Sequence, residues 1–300
     1  MTATTVRPRV VLVDGVPMSG LIAEAPDPRA VIVAIHGGAS TAAYFDCPGH
    51  PRLSMLRTGA ALGFTVVALD RPGYGASAPY PDAMQDPEHR VALTFGAVDT
   101  ILGSKPRGAG LFLLAHSAGC ELAVRMTVDE RDGTADVLGL ELAGTGLQYA
   151  DDAHEILKTA TSINRPTGLR ELLWQPVHLY PADVLSGMTN SATGAPYEAT
   201  MVKTWPGQDF PALAARVRVP VQFSVAEHER VWRTDVAALA DIAAIFTASP
   251  RFVVNHQVDA SHNLSLSINA AAYHLKVLSF VEECVTARKR ASAAAELEAG

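Results

Sequence analysis

Gly110-Leu111-Phe112-Leu113-Leu114-Ala115-His116-Ser117-Ala118-Gly119 is the stretch whose reading decides the fold. Residues 110–115 are uninterruptedly apolar, as a strand buried on both faces of a sheet must be. Residues 118–128 carry helical spacing, so Ser117 falls on the turn between strand and helix. A serine hydroxyl that has to meet both a histidine and a substrate needs a sharp turn of this kind. Such a turn crowds the neighbouring backbone, so only small residues are tolerated two positions either side; Ala115 and Gly119 meet that need. The same pattern also describes a helix N-terminus capped by Ser117. The choice between the two rests on the rest of the chain.

Outward from this point, apolar strands alternate with helical patterns. Strands are expected at 9–13, 16–23, 30–35, 64–69, 110–115, 135–142, 219–225 and 251–258, and Asp14-Gly15 supplies a hairpin turn between the first two. Helices are expected at 51–62, 87–102, 118–128, 234–246 and 265–295. The alternation implies an α/β fold with an eight-stranded, mostly parallel sheet and helices on both faces. Residues 147–210 break the rhythm. They hold helix-like pieces at 153–161 and 168–173, a Pro/Gly/Ser/Thr-rich stretch at 186–196, and the aromatics Trp174, Tyr180, Tyr197 and Trp205. The expected organisation is a core domain in two parts, 1–146 and 211–300, with 147–210 as a helical cap or lid insertion whose aromatics wall an apolar pocket. An ordinary set of surface helices is the alternative.

Composition narrows the function classes. The 300 residues are 48% hydrophobic and 18% charged, enough for a sizeable core and too apolar for a disordered chain. A formal net charge of −7, with no Lys/Arg cluster in the body of the sequence, argues against nucleic acid. Arg288-Lys289-Arg290 reads as a solvated helix end. Cys47, Cys120 and Cys284 are odd in number and far apart, so no disulfide framework or zinc spacing emerges. No secretory signal and no membrane span is visible, and a cytoplasmic protein is the expectation. The sequence sets no oligomeric state; a homodimer is compatible with it.

The order of elements resembles the α/β-hydrolase superfamily from Arg9 to about Val285, and three further segments carry the resemblance. His36-Gly37-Gly38, after the third strand, is similar to that family's oxyanion loop. The resemblance implies that the backbone N–H groups of Gly38 and Ala118 form an oxyanion hole. Asp70-Arg71-Pro72-Gly73-Tyr74-Gly75-Ala76-Ser77 resembles a structural loop of the family, and Asp70 is expected to hydrogen-bond within it. Asp259-Ala260-Ser261-His262-Asn263 resembles the loop that presents a general base, which makes His262 the best candidate over His256, His36 and His116. The orienting acid belongs in Val225-Ala226-Glu227-His228-Glu229-Arg230. Ala226 stands in the usual glycine position, so the acid falls on Glu229, with Glu227 a close rival and Glu141 a distant one.

Ser117, Glu229 and His262 then follow in the order typical of the family. The implied activity is a serine hydrolase acting on an ester or thioester with an apolar acyl group, without metal or organic cofactor. Carbon–carbon, amide or lactone hydrolysis by the same residues, or a non-catalytic ligand-binding protein, are the competing readings.

Overall fold

The computed structural model describes residues 5–130, 137–159, 166–188 and 192–299. Eight strands form one sheet: β1 (Arg7–Val13), β2 (Val16–Ala23), β3 (Val31–Ile35), β4 (Thr65–Leu69), β5 (Leu111–His116), β6 (Val137–Ala143), β7 (Val221–His228) and β8 (Phe252–Ser261). Their spatial order is β1-β2-β4-β3-β5-β6-β7-β8. The β1–β2 hairpin turns at Asp14 and Gly15, both at positive φ, as a two-residue turn matched to strand twist requires. β2 runs antiparallel to β4, and every later pair is parallel.

Strands β3 to β6 are buried at every position, which accounts for their unbroken apolar sequences. The two-residue period sorts β5 between two cores. Leu111, Leu113 and Ala115 join the layer that includes helices α2 (Pro87–Leu102) and α3 (Gly119–Val128). Phe112 and Leu114 face the layer that includes α1 (Met55–Ala61) and α10 (Ala270–Ala299).

Between β6 and β7 lie α4 (Asp151–Leu157), α5 (Leu169–Trp174), α6 (Ala182–Met188), α7 (Glu198–Thr204) and α8 (Phe210–Ala214). Among the described residues this segment contains no strand, only an isolated bridge between Tyr149 and Trp232. The remaining α-helix, α9 (Val236–Ile245), lies between β7 and β8 in the chain and packs against α8.

Several boundaries differ from the sequence expectation. The helix expected at 51–62 is a 3-10 turn, Pro51–Leu53, followed by α1, because the Ser54 hydroxyl caps it by accepting the Arg57 N–H at 3.1 Å. The helix expected from 265 begins at Ala270, after a 3-10 turn at Leu264–Leu266. The first residues of the Pro/Gly/Ser/Thr-rich stretch at 186–196 belong to α6, which runs to Met188. β7 and β8 both extend beyond their apolar runs, to His228 and Ser261. Residues 135–136, 160–161 and 189–191 of the expected elements lie outside the described residues.

Candidate active site

Ser117 sits where β5 ends and α3 begins, with φ at 51°, a conformation that residues other than glycine seldom adopt. The turn is held from both sides. The Ser117 N–H donates to the Ala143 carbonyl at 2.8 Å, and the Ser117 carbonyl accepts the Cys120 N–H at 2.9 Å. The small flanking residues have identifiable neighbours. A Cβ on Gly119 would lie 2.5 Å from the His36 carbonyl oxygen, and one on Gly37 would lie 2.9 Å from the Ser117 Cβ. The close approach of two chain segments, 35–37 and 116–119, rather than turn geometry alone, favours glycine there.

His262 follows the end of β8 directly, and its Nε2 lies 3.0 Å from the Ser117 Oγ. Its Nδ1 lies 3.0 and 3.1 Å from the two carboxylate oxygens of Glu229. Glu229 can only accept there, so Nδ1 carries the proton and Nε2 is free to accept from the serine hydroxyl. Both side chains are 2% exposed. Burial pushes the Glu229 carboxyl up, but the facing His262 and the N–H groups of Val231 and Trp232 outweigh it and hold the group below the ordinary carboxylate range. The Val231 N–H donates to Glu229 Oε1 at 2.8 Å, which fixes the carboxylate's orientation.

The rival residues are placed elsewhere. Glu227 is half exposed and accepts the Asp259 N–H at 2.9 Å. Glu141 is buried on β6 and accepts the Tyr273 hydroxyl at 3.1 Å. His256 is exposed on β8. His36 accepts the Arg71 N–H on Nε2 at 3.0 Å, so its Nδ1–H is the donor to the Gly37 carbonyl at 2.7 Å. His116 donates from Nε2 to the His262 carbonyl at 2.8 Å and stacks on Tyr44 at 4.5 Å between centroids. Burial above all, with nearby Arg71 for His36 and His262 for His116, keeps both imidazoles well below their ordinary pKa, hence neutral.

Gly38 and Ala118, the residues expected to supply oxyanion donors, are neighbours in space: a Cβ on Gly38 would stand 3.9 Å from the Ala118 Cβ. Asp70 does not bond within its own loop as expected. It accepts the Ser19 hydroxyl at 2.6 Å and the Ala42 N–H at 2.7 Å, tying β2 to the segment after the glycine pair. These partners are far away in sequence and already satisfy the carboxylate.

Four residues at this site carried no assigned interaction in the sequence. Arg71, 1% exposed, donates to the Gly37 carbonyl at 3.1 Å and the Tyr197 hydroxyl at 3.2 Å, and pairs with Glu198. Tyr74 donates to the other Glu198 oxygen at 2.7 Å and accepts the Ala39 N–H at 3.0 Å. On the other flank, Trp232 donates to the Gly144 carbonyl at 2.8 Å and Trp205 to the Thr145 hydroxyl at 3.0 Å. A side chain at Gly144 would crowd the site, since a Cβ there would stand 3.0 Å from the His262 ring. Among the described residues no group of three or more His, Cys, Asp and Glu side chains is placed to hold a metal ion, and no helix is long and apolar enough to cross a membrane.

This arrangement, a serine on a strand–helix turn of a mostly parallel eight-stranded sheet facing a histidine and a carboxylate, defines an α/β protein of the hydrolase type. The chain belongs to the alpha/beta hydrolase family, whose sequence model matches residues 32–273. Solved structures agree in fold. The chain is similar to a lipase in its open form (16% identity, 94% of this chain and 99% of that one, TM-score 0.65). It is similar to proline iminopeptidase of Mycobacterium smegmatis (15% identity, 94% and 99%, TM-score 0.64). A thioesterase domain from the curacin biosynthetic pathway gives 18% identity over 92% and 99%, with a TM-score of 0.61. No curated protein matches the chain by sequence. These neighbours are named for different activities, so the shared fold does not select the bond.

Proposed function

We propose that this protein is a serine hydrolase that cleaves a carboxylic ester or thioester through an acyl-serine intermediate. The observation that carries the reading is the unbroken chain of contacts from Ser117 Oγ to His262 Nε2 (3.0 Å) and from His262 Nδ1 to Glu229 (3.0 and 3.1 Å). In the acylation step His262 takes the hydroxyl proton as Oγ bonds to the acyl carbon. The carbonyl electrons move onto oxygen, where the N–H groups of Gly38 and Ala118 receive the charge. The bond to the leaving oxygen or sulfur then breaks, and His262 hands that atom the proton. Water repeats the sequence and frees the acid. Glu229 keeps His262 in the required tautomer and stabilises its protonated form.

An apolar acyl or alkyl group is the substrate class we favour. Trp232 and Trp205 bond to the Gly144–Thr145 segment beside His262, and their rings are apolar surface of the kind such sites use. The test has two parts. A fluorophosphonate should label the folded protein and leave Ser117→Ala unlabelled. A panel of p-nitrophenyl esters, thioesters and anilides of graded acyl length should show turnover of esters or thioesters above anilides. Absence of labelling at Ser117 in folded protein sinks the hydrolase reading; preference for anilides moves the substrate to amides.

A further inference from the structure

We propose that Arg71 is a positioning residue for the oxyanion-binding loop: it fixes the Gly37–Gly38 peptide and links it to helix α7. This inference rests on the serine hydrolase reading above. Among the described residues the only cis peptide is Gln175–Pro176, so the Gly37–Gly38 bond is trans. In a trans peptide the carbonyl and the following N–H point to opposite sides. Whatever holds the Gly37 carbonyl therefore aims the Gly38 N–H.

Two donors hold that carbonyl. One is Arg71 Nη2 at 3.1 Å and the other is His36 Nδ1 at 2.7 Å. The Arg71 backbone N–H, in turn, bonds His36 Nε2 at 3.0 Å, so a single residue secures both bonds. The next peptide is also tethered, since the Ala39 N–H donates to the Tyr74 hydroxyl at 3.0 Å, and the Arg71 guanidinium lies 4.8 Å from the Tyr74 ring centroid. Two adjacent glycines have little conformational preference of their own, so outside contacts set the peptide plane. A charged donor on the carbonyl also polarises the amide and strengthens its N–H as a donor on the far side.

The same guanidinium reaches beyond the loop. It pairs with Glu198 at the start of α7, and its other arm donates to the hydroxyl of Tyr197, which itself donates to the Pro72 carbonyl at 3.1 Å. A Cβ on Gly38 would stand 3.5 Å from the Glu198 carboxylate. The position of α7 and the orientation of the oxyanion donor are therefore read by one side chain. A plainer account gives Arg71 only the task of clamping α7 through an ion pair. The two accounts differ in one variant. Glu198→Gln removes the ion pair and leaves the Arg71 bond to Gly37 in place; Arg71→Met removes both.

The experiment measures p-nitrophenyl butyrate hydrolysis by the full chain, with active sites counted by fluorophosphonate labelling to its endpoint. Arg71→Met should lower kcat by about 10- to 100-fold, less than the loss from deleting an oxyanion donor outright, while KM stays within about threefold. Phenylboronic acid, whose adduct with the serine places an oxygen where the oxyanion forms, should lose affinity by a similar factor. Arg71→Lys should recover part of kcat, because an ammonium can still donate to the Gly37 carbonyl. Glu198→Gln should cost much less than Arg71→Met. The double variant Arg71→Met/Glu198→Gln, which leaves no orphaned carboxylate, should match Arg71→Met and serves in its place if that variant does not fold. Equal losses in the two single variants, or a change confined to KM, overturn the positioning role. A wild-type protein that neither hydrolyses these esters nor takes the fluorophosphonate overturns the serine hydrolase reading instead, and this inference with it.

Discussion

Replacing Glu229 by glutamine tests the arrangement at a buried charge. The carboxylate lies 3.0 Å from His262 Nδ1, with both side chains 2% exposed. For a unit charge pair at that distance and an effective dielectric of about 20, Coulomb's law gives roughly 5.5 kcal/mol, which is about 10⁴-fold in rate once His262 becomes protonated in the transition state. Glutamine retains a carbonyl oxygen that can accept from Nδ1, so part of the orientation survives, and the expected loss in kcat is about 10³- to 10⁴-fold. Glu227→Gln is the internal control. Glu227 is half exposed and faces the Asp259 N–H, so water screens it and its removal should change kcat by less than about threefold. The assay is hydrolysis of the best p-nitrophenyl ester with counted active sites and a urea melt for each variant. If Glu229→Gln kept more than a tenth of wild-type turnover, or Glu227→Gln lost as much, the assignment of the acid would fail.

Three further outcomes are expected. Burial pushes the Glu141 carboxyl up to about 8 from an ordinary 4.5, so its neutral form stabilises the fold below pH 4.5 and that contribution is lost as pH rises through 8. Glu141→Gln keeps an acceptor for Tyr273 and should therefore gain roughly 3 kcal/mol relative to wild type at pH 7 and little at pH 4, read from urea midpoints at the two pH values. Gly119→Ala places a Cβ 2.5 Å from the His36 carbonyl oxygen, which is backbone and cannot swing aside. It should cost roughly 1–3 kcal/mol in chemical denaturation and distort the Ser117 turn; an unchanged midpoint would mean the segments separate easily. His116→Leu removes the donor to the His262 carbonyl and should lower kcat about tenfold and stability by about 1–3 kcal/mol, whereas His116→Gln, whose amide can donate, should keep most of both.

The fold was legible because its central strands are long apolar runs and its turns carry the residues the turns demand. Residues 31–35, 65–69 and 111–116 are buried at every position, so no alternation had to be decoded. Ser117, His262 and Glu229, which the structure brings within hydrogen-bonding distance of one another, could be singled out in the sequence because each sits where a strand ends. What the sequence concealed depends on contacts across long separations. Asp70 bonds Ser19 and Ala42, 51 and 28 residues away, and no local pattern announces that. The Arg71–Glu198 pair spans 127 residues. The partner of His116 is hidden in the same way, since its Nε2 donates to the carbonyl of His262, 146 residues on. Boundary errors followed a different rule. The Leu264–Leu266 turn has the composition of the helix that follows it, and tertiary packing, with the Ser265 N–H donating to the Tyr44 hydroxyl at 3.4 Å, decides where that helix begins.

Position 229 carries glutamate rather than aspartate, one residue past the end of β7. β7 extends past its apolar run, with an irregular register against β8 between Ala226 and His228. The chain then doubles back, the Glu229 N–H donating to the Ala226 carbonyl at 3.1 Å. From this turn the glutamate side chain, one methylene longer than aspartate's, reaches the imidazole with both oxygens nearly equidistant from Nδ1. The Val231 N–H then locks the carboxylate in place. Position 229 and the identity of its residue are thus coupled: shortening the side chain should open a gap of about one C–C bond length, roughly 1.5 Å, beyond the reach of a hydrogen bond already at 3.0 Å. Glu229→Asp should accordingly lose most of its turnover despite keeping the charge, and recovery would require the Ala226–Glu229 turn itself to move.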